Sequence, residues 1–271
     1  MKKILGLLAL ACFMSGPTAK AQEQNAWNKM GDVATQIYRQ GDVNKAVNLA
    51  KNAISMAERE LGSEHPDVAG LLNNLAVIYD SEGRADQALP LYKRALAIRE
   101  NAMGPDHITV ADSLSNLGIL YATQGKFDEA ENMLKRALSI NNLALGEDHP
   151  DIANSFNNLA TLYAMQGRYE TAEPLYKHAL MIRENALGAE HPDVALSLTN
   201  LAGVYDMQGH YAAAEPLYKR ALAINEKGLG PNHPGVAAVL EMMAQFYERS
   251  GNRAQQSACE KRAAKIRAMA Q

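Results

Sequence analysis

His191–Ile224, HPDVALSLTNLAGVYDMQGHYAAAEPLYKRALAI, decides the fold because it does not occur once. Moved by 42 residues in either direction it reappears with modest edits. Its leading histidine returns at His65, His107, His149 and His233, and the glycine before that histidine is found at Gly62, Gly104, Gly146, Gly188 and Gly230. A second glycine marks the middle of each unit, at Gly41, Gly83, Gly125, Gly167, Gly209 and Gly251. The register never slips. A strict period of this size means one supersecondary unit repeated about six times, each copy burying its apolar face on its neighbours.

The unit from Glu64 to Gly104 shows what is repeated. Pro66 suits a first helical position, where its missing N–H is not needed, and Asp67 meets the positive end of the helix dipole. Val68, Leu71, Leu72, Leu75, Ala76 and Tyr79 then fall at helical spacing and form one apolar stripe, helix A. Gly83 ends it, since glycine accepts the left-handed backbone that other residues resist. Ala85, Ala88, Leu89, Tyr92, Ala95, Leu96 and Ile98 mark the apolar side of a second helix, B. Each unit is predicted to be an antiparallel helix pair. Pro90, Pro174 and Pro216 fall within about the first turn and a half of helix B, where a mild bend rather than a break is expected. Small residues alternate with large ones: Ala76, Ala88 and Ala95 stand where two helices approach closely, and Leu75, Tyr79 and Tyr92 fill around them. In the next unit these places hold Gly118, Ala130 and Ala137 with Leu117, Tyr121 and Leu134.

This pattern of large, large, small and aromatic residues on helix A and small, aromatic, small on helix B resembles the tetratricopeptide repeat. The 42-residue spacing, the Leu-Gly-x-x-His-Pro-Asp-Val-Ala opening and the Ala-Glu-Pro-Leu-Tyr-Lys-Arg-Ala-Leu helix B are similar to its kinesin-light-chain subtype. The resemblance implies an all-α fold, an αα-superhelix of about six helix-turn-helix repeats over 22–62, 63–104, 105–146, 147–188, 189–230 and 231–271. It says much about fold and little about function, because a widespread fold hosts many tasks. The terminal units differ as caps should: Ile37 and Ala50 take the aromatic places in the first, and Gln256 and Glu260 make the last helix B polar.

Residues 1–21 read as a targeting segment. Lys2 and Lys3 precede an apolar run from Ile4 to Met14, and Ala19-Lys20-Ala21 offers a cleavage site before Gln22. The run is shorter than the roughly 20 apolar residues that span a bilayer. An exported protein, periplasmic or secreted, is therefore expected, with a lipoprotein anchored at Cys12 as the alternative. Cleavage would remove three lysines and no acid, taking the net charge from −3 to −6. No basic face suggests nucleic acid. Cys259 is the one cysteine left after cleavage, so no internal disulfide is possible and stability must come from packing.

The recurring histidines invite a metal reading, but helices pack about 8–10 Å apart, which spaces the five in a row rather than around one point. A local capping or loop-packing role at each helix start is sufficient. The glycines are isolated punctuation rather than a phosphate-cradling loop, and no nucleophile stands in a glycine-flanked elbow. No catalytic residue, cofactor or metal is expected.

Asn74, Asn116, Asn158 and Asn200 recur beside the large leucine of helix A. In proteins this chain resembles, helix A lines a concave groove and this asparagine points into it. An amide both donates and accepts, so a ladder of amides can hold the backbone of an extended peptide. The alternative is that each asparagine bonds a neighbouring helix and only fixes repeat geometry. Asn73 and Asn157 lie just before the ladder, and Val77, Ile119 and Thr161, Asp80 and Asp206, then Met165 and Met207 lie beyond it, as residues expected to set specificity. No Lys or Arg occurs in this set, which favours a neutral or mildly basic, partly apolar ligand. The basic pairs Lys93-Arg94, Lys135-Arg136 and Lys219-Arg220 of helix B are read as an outer, solvated stripe. The expected function is a scaffold or adaptor that binds a protein or peptide partner. A structural component that assembles through its repeat ends or convex side is the alternative.

Overall fold

The computed structural model describes residues 25–269. The proposed targeting segment, its cleavage site and Cys12 lie outside the described residues. Within them the chain forms twelve helices and no strand: α1 (Ala26–Arg39), α2 (Val43–Leu61), α3 (Pro66–Ser81), α4 (Ala85–Met103), α5 (Ile108–Thr123), α6 (Phe127–Leu145), α7 (Ile152–Met165), α8 (Tyr169–Leu187), α9 (Pro192–Met207), α10 (Tyr211–Leu229), α11 (Pro234–Arg249) and α12 (Arg253–Met269). Odd-numbered helices are the A helices of the repeat and even-numbered ones the B helices. They group into two compact units that divide between Ala144 and Leu145.

The recurring histidine is the N-cap of helix A at His65, His107, His191 and His233, whereas α7 starts later, with Asp151 as its N-cap. The Nδ1 atoms of His65 and His191 each accept from the backbone N–H two residues on, Asp67 and Asp193, at 3.2 Å, and His233 does the same for Gly235 at 3.0 Å. One of the orphan N–H groups of the first turn is thereby satisfied, by a side chain that also leaves room for the following proline. No metal is needed to explain these histidines. At the other end, Gly83 after helix A and Gly104 after helix B have φ of 72° and 91°, a conformation costly for any residue with a Cβ. Pro90, Pro174 and Pro216 sit inside α4, α8 and α10, and all three helices run on through them for 19 residues.

In the first unit, α1 packs on α2, α3 on α4, and each B helix on the following A helix, while α3 also touches α1 and α5 directly. Ala76, Ala88 and Ala95 are completely buried at these crossings, and Tyr79 and Tyr92 are 4% and 2% exposed around them. In the second unit, α7 packs on α8, α9 on α10 and α11 on α12, joined through the α8–α9 and α10–α11 contacts. Its core runs from Val194, Leu198 and Ala202 through Ala214, Tyr218 and Ala221 to Val236, Phe246, Ala263 and Ile266. Cys259 lies in this cluster, and burial pushes its thiol pKa up, which makes it a small apolar filler rather than a nucleophile.

The expected outer stripe is more than solvated charge. Lys135, Lys177 and Lys219 do extend along their own helix to Glu131, Glu173 and Glu215. The arginine of each Lys-Arg pair instead reaches back one repeat. Arg94 meets Glu58 at 2.7 Å and donates to the Ser63 carbonyl at 3.0 Å. Arg136 meets Glu100 at 2.6 Å and the Pro105 carbonyl at 2.8 Å. In the second unit Arg220 repeats this on Glu184 and Ala189, at 2.6 and 3.0 Å, and Arg262 reaches Glu226 at 2.5 Å. A half-exposed ion pair contributes only about 0–1 kcal/mol. The added bond to the loop carbonyl fixes the angle at which one helix B follows another.

Candidate functional site

The candidate site is the exposed face of the A helices, taken separately in each unit. Asn74 and Asn116 in the first unit, and Asn158 and Asn200 in the second, are all partly exposed beside buried leucines, Leu75, Leu117, Leu159 and Leu201. Helical spacing explains this: the leucine faces helix B, and the residue before it lies a hundred degrees round, at the edge of the buried stripe. Asn74 lines a hollow of about 270 Å³ between α1 and α3, with Asn28, Asp32, Pro66, Asp67, Gly70 and Leu71. Asp32 is the residue of α1 in register with the asparagines.

At Asn116 the geometric alternative holds at least in part. Its Nδ2 donates to Asn73 Oδ1 at 2.9 Å, tying α5 to α3. Asn73 and Asn157, 4% and 6% exposed, are therefore inter-helix residues rather than residues open to a ligand. Both amide atoms of Asn157 are buried without a hydrogen-bond partner. Thr161 is committed too, with its hydroxyl donating to the Asn157 carbonyl at 2.8 Å and lying 2.7 Å from the Tyr176 hydroxyl. Val77, Ile119 and Met165 are partly exposed, and Met207 is 45% exposed.

Asp206 corrects the expected groove set. It is 2% exposed and forked by Arg249, whose Nε lies 3.1 Å from both carboxylate oxygens and whose Nη2 bonds the same group. The carboxylate in turn holds the Arg249 guanidinium pKa up. Arg249 stands where helix A of the preceding repeats carries Ser81, Thr123, Met165 and Met207. The row thus does hold a cation, at its last position, and the cation is consumed inside the protein. Burial beside this pair also raises the Tyr218 hydroxyl pKa. Asp80 holds the same register as Asp206 in the first unit, but burial alone acts on it, pushing its pKa up to about 6. Among the described residues, no group of three or more His, Cys, Asp or Glu side chains could hold a metal ion. Nor is any described helix long and apolar enough to cross a membrane.

The capped helix pair, the small residues at its crossing and the fixed 42-residue period have a counterpart among known families. The tetratricopeptide repeat model matches residues 22–101, 67–142, 140–185 and 151–227. The chain belongs to the tetratricopeptide repeat family. Its repeats are kinesin-light-chain-like. The nearly identical kinesin-light-chain TPR-like repeats of Podospora anserina superpose with a TM-score of 0.62 at 25% identity, covering 77% of this chain and 98% of theirs. BtubC from P. vanneervenii aligns with a TM-score of 0.63 at 24% identity over 90% of this chain and 92% of its own. A Rap protein complexed with Competence and Sporulation Factor gives 0.64 at 15% identity over 90% and 75%; the last two likenesses show the fold alone. No curated protein matches the chain significantly. The fold class is the all-α superhelix of the TPR solenoid, an architecture of protein–protein interaction scaffolds.

The structural residues that sequence reading missed are Glu58, Glu100, Glu184 and Glu226, the partners of the helix-B arginines. Their signal was a Glu–Arg offset of 36 residues, visible four times.

Proposed function

We propose that this TPR protein is an exported adaptor that binds an extended segment of a partner protein along the helix-A face. The observation that carries the reading is the row of partly exposed amides, Asn74, Asn116, Asn158 and Asn200, left at the edge of otherwise apolar helices. Asn116 spends one N–H on Asn73 and retains its carbonyl and second N–H. Asn74 opens onto the hollow between α1 and α3, and Met207 supplies an adaptable apolar contact further along the second unit. Amides at repeat spacing suit a peptide backbone, which offers donors and acceptors whatever its sequence.

Export rests on the Lys2-Lys3 start, the Ile4–Met14 apolar run and the Ala19-Lys20-Ala21 site. N-terminal sequencing of the protein recovered outside the cytoplasm should begin at Gln22; a mature chain starting at a lipidated Cys12 would replace this reading with anchoring. For binding, wild type and the Asn74, Asn116, Asn158, Asn200→Ala protein are compared in affinity capture from an envelope extract, after circular dichroism shows equal helicity. Partners retained by wild type and lost by the variant are the expected result. Equal retention would make the asparagines purely geometric.

A further inference from the structure

We infer that Asp80 is the seat for an arginine side chain of the bound partner segment, taking from outside the kind of guanidinium that Asp206 receives from Arg249. The inference rests on the helix-A face being the binding face and adds which side chain it selects.

The argument begins with register. A residue of one helix A meets the residue 43 places later in the next. In the first unit Asn73 accepts from Asn116; in the second, Asp206 is forked by Arg249. Asp80 and Thr123 lie seven residues, two helical turns, beyond Asn73 and Asn116 on the same two helix faces. Thr123 therefore occupies at Asp80 the place that Arg249 occupies at Asp206. Threonine is too short and has no charge, and its hydroxyl already donates to the Leu120 carbonyl at 2.8 Å.

The rest of the row shows that filling this place is the rule. Where Ala164 stands in place of the aspartate, the residue 43 later is Met207, an apolar pairing. Where Asp206 stands, Arg249 answers it. Among the described residues, Asp80 is the carboxylate of this row that has a following helix A whose facing position holds no cation. The nearby charged side chains are engaged elsewhere. Glu82 accepts from the Tyr38 hydroxyl at 3.2 Å, while Arg84 donates to Gln87 at 2.7 Å and stacks 4.4 Å over Tyr79. Among the described residues no hydrogen bond or ion pair satisfies the Asp80 carboxylate, and desolvation holds its pKa up. A half-buried carboxylate without a cation gains most from a planar, weakly hydrated guanidinium that can bond both oxygens. Asp80 is partly exposed, so a side chain arriving from solvent can reach it.

The full chain is tested with two probes, N-acetyl-arginine N-methylamide and its neutral isostere, the citrulline derivative. The Asp80 carboxyl carbon is followed by NMR through a pH titration in wild type and in Thr123→Arg. The arginine probe should bring the Asp80 titration down toward the ordinary aspartate range, and the citrulline probe should leave it in place. Thr123→Arg should lower it without any probe, by building in the first unit the pair that exists in the second. Identical effects of the two probes, or an Asp80 titration unmoved by Thr123→Arg, would overturn the inference. Captured partner segments, made as synthetic peptides, then separate the two readings. Replacing their arginine by citrulline should weaken binding to wild type by about tenfold or more, equivalent to at least 1.4 kcal/mol, and Asp80→Asn should abolish that discrimination. Peptides that need the asparagine ladder but bind Asp80→Asn as tightly as wild type would sink the arginine seat while the binding face stands.

Discussion

Asp80 and Asp206 hold the same letter in the same register of the repeat, yet one is a structural anchor and the other an unmet charge. The difference lies 43 residues downstream, in threonine against arginine. It should be measurable as stability. A carboxyl whose pKa is raised to about 6 from 3.8 holds its proton in the folded protein after the unfolded chain has lost it. Its contribution is fully present below pH 4, and is lost as the pH rises through 6. Asp80→Asn removes this penalty. In urea unfolding the variant should match wild type near pH 4 and exceed it at pH 8 by about 1–2 kcal/mol, a figure reduced for the partial exposure of the group. A constant difference across that range would mean that Asp80 does not titrate as its burial implies.

At the level of the helix pair, the third repeat departs from the others in two coupled positions. Gly118 stands where Ala76, Ala160 and Ala202 stand, and Leu134 where Tyr92, Tyr176 and Tyr218 stand. A Cβ built on Gly118 would meet Leu134 Cγ at 2.9 Å and Met133 Cβ at 3.3 Å. The branched leucine leans into the space that an alanine methyl fills elsewhere, and the glycine yields it. Gly118→Ala should gain about 1 kcal/mol of helix propensity and lose about 1–3 kcal/mol to overpacking, for a net loss. In a Leu134→Tyr background the loss should vanish, and chemical denaturation of the four-protein cycle reads the coupling directly. This pair also shows what the sequence disclosed. Helix pairs, their caps and the small-large alternation were legible because each lies within one period and recurs. The commitments of Asp206, Asn73 and Arg94 were not, because each is set by a residue 36 to 43 positions away, and single-helix periodicity cannot distinguish a half-exposed amide from one wedged between helices. The ladder asparagines are partly exposed at the edge of helix A, and the bond from Asn116 to Asn73 lies beyond what one period discloses.

Across the molecule, one junction design serves within both units: an arginine of helix B grips the glutamate one helix B earlier and the loop carbonyl beyond it. Removing residues 189–230 brings Arg262 onto the place of Arg220 opposite Glu184, and joins Gly188 to Pro231-Asn232-His233 in the same loop format. Arg249 then faces Ala164 and turns to water. The shortened protein should keep its helicity per residue and unfold cooperatively, with a urea m-value lower by about a sixth, in proportion to the surface it exposes. Collapse of helicity would show that these junctions are not equivalent. The shared fastening also bears on ancestry. Unequal crossing-over between near-identical repeats inserts or deletes whole periods, and a product inherits a matched seam wherever a glutamate and an arginine are again set 36 residues apart, as Glu184 and Arg262 are in the shortened protein. Array length is thus free to drift, while any change that is not a whole period leaves an arginine with no glutamate to hold. Selection by a longer or shorter partner can act on the number of rungs without waiting for a new interface to evolve.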